Sequence, residues 1–171
     1  PRTVEDWFAL PQEMLCLCTN GAVFSDPLGA FTQARAHLLS YYPEPVRLKK
    51  LAAHCALAAQ AGQYNYPRCL RRGEAGAALQ GLSRFLYHLT AAVFLLNRRY
   101  MPFWKWAPKA LKQLPRLGGA LAPVLEELAA DPLRGTGTVE RACSLAAEEL
   151  RRSGLSDETD TFLLRQGASI Q

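Results

Sequence analysis

The run of residues 97–106 holds the densest group of side chains in the sequence that could bind a ligand. Its arginines and lysine carry positive charge, and its tyrosine and tryptophans offer flat rings. Cations next to flat rings suit a phosphate joined to a nucleobase, through ion pairing and stacking. With one lysine from an earlier helix added, we predict an anion- or nucleotide-binding site made of Lys49, Asn97, Arg98, Arg99, Tyr100, Lys105 and Trp106.

Basic residues continue beyond this run at helical spacing. Lys105, Lys109, Lys112 and Arg116 follow one another at intervals of three or four residues, which predicts one basic stripe along one helix. The alternative interpretation is an ordinary solvated face, with the tryptophans anchored in the core. The sequence leaves both interpretations open.

A second polar cluster precedes Gly73 and consists of Gln63, Asn65, Arg68 and Arg72. The last three share one face of a helix. If the chain reverses at Gly73, the two clusters lie at opposite ends of a helix pair, ~30 Å or more apart at the rise of an α-helix. We therefore expect a secondary polar cluster that does not join the first site.

Patterns typical of catalytic sites do not occur. The sequence lacks a Gly-x-x-x-x-Gly-Lys-Ser/Thr loop, a Gly-x-Ser-x-Gly elbow and a His-Glu-x-x-His helix. Its three histidines have no Cys, Asp or Glu beside them at ligand spacing, so we predict no catalytic residue and no metal site. One pattern keeps an alternative open: Arg47 and His54 lie two helical turns apart, which resembles the Arg and His of helical ribonucleases of the HEPN class.

Charge is segregated along the chain. Residues 27–125 contain fourteen Lys and Arg but only Glu44 and Glu74 as acids, whereas the two ends together carry thirteen acids and six bases. Such segregation draws anions to one region. The alternative is that acidic helices from the ends cover the basic middle, and their charge disfavours general nucleic-acid binding.

The remaining composition indicates an ordinary globular protein of the cytoplasm. The five cysteines, an odd number in apolar helical surroundings, favour free thiols in a reducing compartment. The most apolar run, 89–96, is far shorter than the ~20 residues that cross a membrane. We therefore predict a cytoplasmic protein without a membrane partner.

An Ala- and Leu-rich sequence with few β-branched residues and no alternating pattern predicts an all-α fold. We expect a helical bundle built on a long antiparallel helix pair that reverses at Gly73, with a core over 1–132 and a C-terminal helical extension over 133–171. Gly73 should supply a left-handed cap at the end of the first long helix. Pro67 allows a kink, or an early end at Gly62, in the first long helix. The helices are predicted at about 11–19, 27–41, 45–72, 74–100, 102–115, 121–130, 138–152 and 156–167.

Several strings resemble the domain of unknown function 4037 family, over roughly Trp7 to Leu114. They are Asn20-Gly-Ala-Val-Phe-Ser-Asp-Pro-Leu-Gly-Ala-Phe31, Tyr41-Tyr-Pro43, Gly62-Gln63, Arg72-Gly73, Phe94-Leu-Leu-Asn-Arg-Arg-Tyr100 and Pro102-Phe-Trp-Lys-Trp106. The residues that match the most specific family string are Arg98, Arg99, Tyr100, Pro102, Lys105 and Trp106.

This resemblance implies a context. In the family, the helical region typically follows a polymerase-β-like nucleotidyltransferase domain with a Gly-Ser turn and metal-binding aspartates. Neither feature occurs here, and the chain lacks a starting Met, so we expect the C-terminal helical half of a longer protein. Mg²⁺ and a nucleoside triphosphate would then belong to the catalytic domain, which would be the partner of this chain.

The resulting hypothesis is a non-catalytic helical domain that binds a nucleotide or a small anionic substrate for a nucleotidyltransferase-like protein, resembling the helical C-terminal domains of such enzymes. Two alternatives stay open. The chain could be an interaction module that docks a catalytic partner domain, or a HEPN-like domain that cleaves RNA.

Overall fold

A computed structural model describes residues 1–170 of the chain. Within that range the fold is all-α, as predicted, with ten α-helices, one π-helical segment and no strand. The α-helices are α1 Val4–Ala9, α2 Gln12–Thr19, α3 Ala30–Leu39, α4 Glu44–Ala58, α5 Tyr66–Arg71, α6 Ala75–Leu96, α7 Ala107–Leu111, α8 Gly118–Ala130, α9 Thr136–Arg152 and α10 Leu163–Ser169.

The long helix α6 forms the centre of the core and packs against α4 and α5. Arg47 on α4 contacts Leu95 near the end of α6, whereas His54, about two helical turns further along α4, contacts His88. Gly73 separates the two helical segments with φ +74°, so the predicted left-handed cap is confirmed. Close packing continues at Gly62, where a Cβ would lie 2.3 Å from the Phe85 ring.

The π-helical segment Ala59–Asn65 joins α4 to α5 without a break. Tyr66 N–H donates to the Ala61 carbonyl, five residues earlier. Pro67 has no N–H, and in an α-helix its ring would collide with the carbonyl four residues before it. The wider turn immediately before Pro67 relieves this conflict, so the helix neither ends at Gly62 nor follows one α-helical path from Pro45 to Arg72.

Two helix boundaries around the predicted site are wrong. Helix α6 ends at Leu96 instead of Tyr100, because Arg98 adopts a left-handed conformation at φ +51°. The Arg98 and Arg99 amides donate back to Leu95 and Phe94, the two bonds of a Schellman cap. The helix predicted from Pro102 shrinks to α7, which begins at Ala107.

The C-terminal helices pack on the same core. Helix α10 lies against α4, and Gly167 approaches so closely that a Cβ would lie 2.8 Å from the Ala52 carbonyl oxygen. The last helix begins at Leu163 and not near Ser156, because the Asp157 carboxylate accepts from Ser169 Oγ instead of capping a helix. The division of the chain at residue 132 stays a prediction, and Gln171 lies outside the described residues.

Helix α6 is long and apolar enough to cross a membrane by length and composition alone. Its apolar side chains are nevertheless used inside the protein: Phe85, Leu89, Val93 and Leu95 are buried. More than half of the helix's apolar window is covered in this way, as in the core helix of a globular fold.

Candidate functional site

Asn97, a predicted ligand contact, holds two parts of the chain together. Its side-chain amide donates to the carbonyls of Val93 at 2.8 Å and Arg116 at 2.9 Å, and its oxygen accepts from the Arg116 amide at 2.9 Å. These bonds fix the residues before α8 against the end of α6. Both N–H groups of the amide are used by the protein itself, which favours a structural role, and the assignment of Asn97 to the ligand site stays a prediction.

Tyr100 also serves packing, although we predicted a stacking surface. Its hydroxyl donates to the Leu38 carbonyl at 2.8 Å, and its ring centroid lies 4.8 Å from that of Tyr41 and 5.1 Å from that of Tyr42. Burial raises the pKa of Tyr100 well above its usual range. The three tyrosines join the residues that follow α3 to the segment after α6.

Arg98 pairs with a carboxylate. Its guanidinium lies 2.7 Å from Glu44, which also accepts two hydrogen bonds from the buried Arg47. The Arg47 bonds, followed by the charges of Arg47 and Arg98, hold the pKa of Glu44 below its ordinary value. Lys49 and Arg99 are exposed. Arg99 contributes its carbonyl to a bond from the Tyr41 hydroxyl.

Lys105 and Trp106 line an open groove of about 600 Å³ between α2 and α7, which we call the Lys105 groove. Its other functional side chains are Phe103, Lys109 and Glu13. The Lys105 ammonium lies 5.6 Å from the centroid of the Trp106 ring, and Trp106 is 58% exposed. At these two residues the groove therefore combines positive charge with open aromatic surface.

Lys105 and Lys109 differ from the other two residues of the predicted basic stripe in their charged and polar partners. Among residues 1–170 neither lysine takes part in an ion pair, whereas Lys112 pairs with Glu126. Arg116 bonds to Ser153 and, through its backbone, to Asn97. The stripe is wrong as a single helical feature, because only Lys109 of the four residues lies within α7. Acidic C-terminal residues neutralise part of the basic middle and leave these two lysines accessible.

Glu13 lines the Lys105 groove, although the sequence did not indicate it as a site residue. It comes from α2, far from the basic run in sequence, and its carboxylate accepts from the Tyr87 hydroxyl at 2.8 Å. Only the packing of α2 against the segment 101–110 could reveal it. Among the described lining residues it is the single carboxylate of the groove.

The secondary polar cluster does not form one site. Gln63 donates to Glu140 and the Thr161 carbonyl and accepts from the Leu163 amide, so it ties the π-helical segment to the C-terminal region. Arg68 lies over the Tyr64 ring, with 3.9 Å from its guanidinium carbon to the centroid. Arg72 is the exposed C-cap of α5, and Asn65 is exposed beside a smaller cavity. None of their described contacts reaches the Lys105 groove.

The Arg47 and His54 pair does not form an open cleavage site. Arg47 is buried, and its guanidinium is used by Glu44 and the Leu95 carbonyl. His54 Nδ1 lies 3.0 Å from His88 Nδ1. Burial, then the neighbouring His88 and Lys50, lower the pKa of His54 to about 4. No cluster of three or more metal-ligating side chains occurs within residues 1–170.

Comparisons with known proteins identify one relationship. The family model described as "Domain of unknown function (DUF4037)" matches residues 7–107. The match extends from α1 to the first residue of α7 and includes the aromatic and basic residues 103–106. No curated protein and no solved structure matches the chain. Since the model covers more than half of the sequence, the chain belongs to the DUF4037 family.

Proposed function

We propose that this chain is the helical substrate- or nucleotide-binding domain of a nucleotidyltransferase-like protein, and that its ligand binds in the Lys105 groove. One observation carries the proposal: Lys105 and Lys109 stand without a described ion-pair partner beside the exposed ring of Trp106, in a groove of about 600 Å³. A nucleotide offers both complements, since its phosphates need cations and its base needs a flat surface.

The energetics favour a weak, salt-dependent interaction. Charge-assisted hydrogen bonds contribute about 1.5–3 kcal/mol each, and stacking of a base on an aromatic side chain contributes about 1–3 kcal/mol. Ordering of the ligand and of two long side chains opposes these gains. In the absence of ligand, the cation–π contacts of Lys105 with Trp106 and Phe103 hold the ammonium close to where a phosphate would lie.

The chemical step belongs, in this proposal, to a polymerase-β-like domain that supplies Mg²⁺ and the nucleoside triphosphate. The groove itself is a poor site for Mg²⁺, which prefers several oxygen ligands. Glu13 is its one carboxylate among the described residues, and it is bonded to Tyr87. We therefore assign ligand binding, and no metal-dependent step, to the residues of this chain.

Titration of the 171-residue chain with ATP, followed by calorimetry, tests the proposal. The double substitution Lys105→Ala and Lys109→Ala is expected to weaken binding by at least about tenfold, the equivalent of one lost charge-assisted hydrogen bond. The control is Lys112→Ala, which removes a lysine that is paired with Glu126 and should leave the affinity unchanged. Equal affinity of the double variant and the unaltered chain would refute the site.

A second candidate function is docking of a catalytic partner domain. Phe24 and Leu28, in the segment between α2 and α3, are 97% and 93% exposed, and Phe31 on α3 is half-exposed. Large apolar side chains that are strongly exposed and close together in sequence favour a protein interface. Phe24→Ser together with Leu28→Ser should then abolish association with the nucleotidyltransferase domain and leave the binding of ATP unchanged, because neither residue lines the Lys105 groove. Association that persists in this variant would refute the interface.

A further inference from the structure

A second cavity, of about 640 Å³, lies between α6 and the segment 101–108. We call it the Arg84 cleft and define it by Arg84, Tyr87, His88, Met101 and Trp104. None of these residues lines the Lys105 groove. The two cavities use different side chains of the same segment and are joined by the hydrogen bond from the Tyr87 hydroxyl to Glu13. A substitution at Arg84 or Trp104 alters the cleft without changing a residue that lines the groove.

The cleft presents flat apolar surface. Met101 is buried and forms part of its inner wall, while Tyr87 and Trp104 stand at its open side. Trp104 is 65% exposed, a high value for so large an aromatic side chain. Two aromatic side chains beside an apolar wall suit the body of a flat organic molecule.

The polar groups of the cleft are cationic or neutral. Arg84 is exposed and takes part in no hydrogen bond or ion pair among the described residues, and no carboxylate lines the cleft there. Arg84 also borders the smaller cavity of about 330 Å³ beside Asn65. A guanidinium that the protein leaves unpaired beside a cavity favours an anionic ligand group, which it can bind through two parallel hydrogen bonds.

His88 adds a fixed donor or acceptor. Its Nδ1 lies 3.0 Å from Nδ1 of His54, so one ring nitrogen is used by the neighbouring helix, while Nε2 has no described partner. Two imidazoles this close could also hold a transition metal. Lys50 and Arg84 place positive charge beside the pair, however, and no third ligand group lies with it in the described structure. The surroundings favour an anion over a cation.

From this geometry we infer that the Arg84 cleft binds a small molecule with a flat apolar body and one carboxylate or phosphate group. The body lies against Trp104 and Tyr87, and the anionic group lies on Arg84 and on Nε2 of His88. This inference does not depend on the proposed function, because it concerns other residues and another ligand. A carboxylate and a phosphate share the chemistry, and the experiment distinguishes them.

The test is a titration of the whole chain, observed by NMR at the tryptophan indole and histidine ring signals, with three probes of one shape. The probes are 2-naphthoate, 2-naphthyl phosphate and the uncharged 2-naphthamide. We expect at least one anion to bind about tenfold or more tightly than the amide, as one charge-assisted contact implies. The signals of Trp104 and His88 should shift, and those of Trp106 should not. The tighter anion identifies the ligand group.

Matched variants complete the test. Arg84→Gln should weaken binding of the favoured anion by about tenfold or more and leave binding of the amide unchanged. Arg71→Gln is the control, since Arg71 is an exposed arginine on α5 that does not line the cleft. Equal binding of anions and amide, no binding of either anion at millimolar concentration, or an Arg84→Gln variant with full affinity would each overturn the inference.

Discussion

The two halves of the run 97–106 contain similar residue types, but their side chains have different surroundings. In the first half, Asn97 and Tyr100 use their polar atoms on backbone carbonyls and amides of this chain, and Arg98 is paired with Glu44. In the second half, Lys105 and Trp106 remain exposed beside a groove. Charge and aromaticity alone therefore do not identify a binding residue. The decisive property is whether the protein already satisfies the side chain.

The largest effect on stability is expected in the first half, at Asn97. Asn97→Ala removes three hydrogen bonds between the end of α6 and Arg116, which should lower the free energy of unfolding by about 2–3 kcal/mol. Thermal unfolding should shift downward by roughly 5–10 °C for a domain of this size. Arg99→Ala, an exposed neighbour, is the control. A stability loss no larger than that of the control would mean that Asn97 is not structural.

Glu44→Gln should have the next largest effect. It leaves the buried Arg47 without its carboxylate, but water reaches Glu44, whose side chain is 43% exposed. We therefore expect a loss of about 1–2 kcal/mol, below that of a fully buried pair. Chemical denaturation of the unaltered chain and the variant at neutral pH measures the difference.

The same residue predicts a pH dependence. The pKa of Glu44 is lower in the folded chain than its ordinary value of 4.5, so the unfolded chain binds the proton first as pH falls. The stability from Glu44 is thus complete above pH 4.5 and is lost as pH falls through the folded pKa. Glu44→Gln should lack this component. Parallel pH–stability curves for both proteins below pH 5, an interval set by the ordinary carboxyl pKa, would contradict the assignment.

Tyr100→Phe tests the aromatic part of the first half. It removes the hydrogen bond to the Leu38 carbonyl but keeps the ring against Tyr41 and Tyr42. The free energy of unfolding should fall by about 1 kcal/mol, while the affinity for ATP stays unchanged. If the Tyr100→Phe variant bound ATP more weakly but kept the stability of the unaltered chain, Tyr100 would be a residue of the binding site.

The smallest effect on stability is expected in the second half. Trp106→Leu alters an exposed side chain, so the free energy of unfolding should change by no more than about 0.5 kcal/mol. Its effect should appear in binding: the affinity for ATP should fall towards that for inorganic tripolyphosphate, because the base loses its stacking surface. If the preference for ATP persists, Trp106 does not contact a base.

The sequence predicts the parts of this structure that depend on local chemistry. Composition and periodicity indicate the all-α fold, and a glycine at position 73 indicates the left-handed cap. The left-handed conformation of Arg98 could not be predicted in the same way, because that position is not a glycine. Lys105 and Trp106 line a groove, and their part in ligand binding stays a prediction.

Features that depend on contacts between distant segments are missed. The Gln63 side chain binds residues 98 and 100 positions away, and Glu13 reaches the groove from α2. No local pattern in a single sequence carries that information. The start of α10 is missed for the same reason, since Leu163 donates its amide to Gln63 instead of to a local cap.

The bonds of Gln63 have a consequence for how the protein can be dissected. The family match ends at residue 107, yet Gln63, inside it, holds Thr161 and Leu163, far outside it. Leu163 is fully buried, and Gly167 closes on α4. The segment that the family model matches is thus shorter than the segment that packs into one core. A fragment that ends at residue 107 would expose the apolar side of α4. We expect such a fragment to aggregate, so that it could not be used to measure ligand binding.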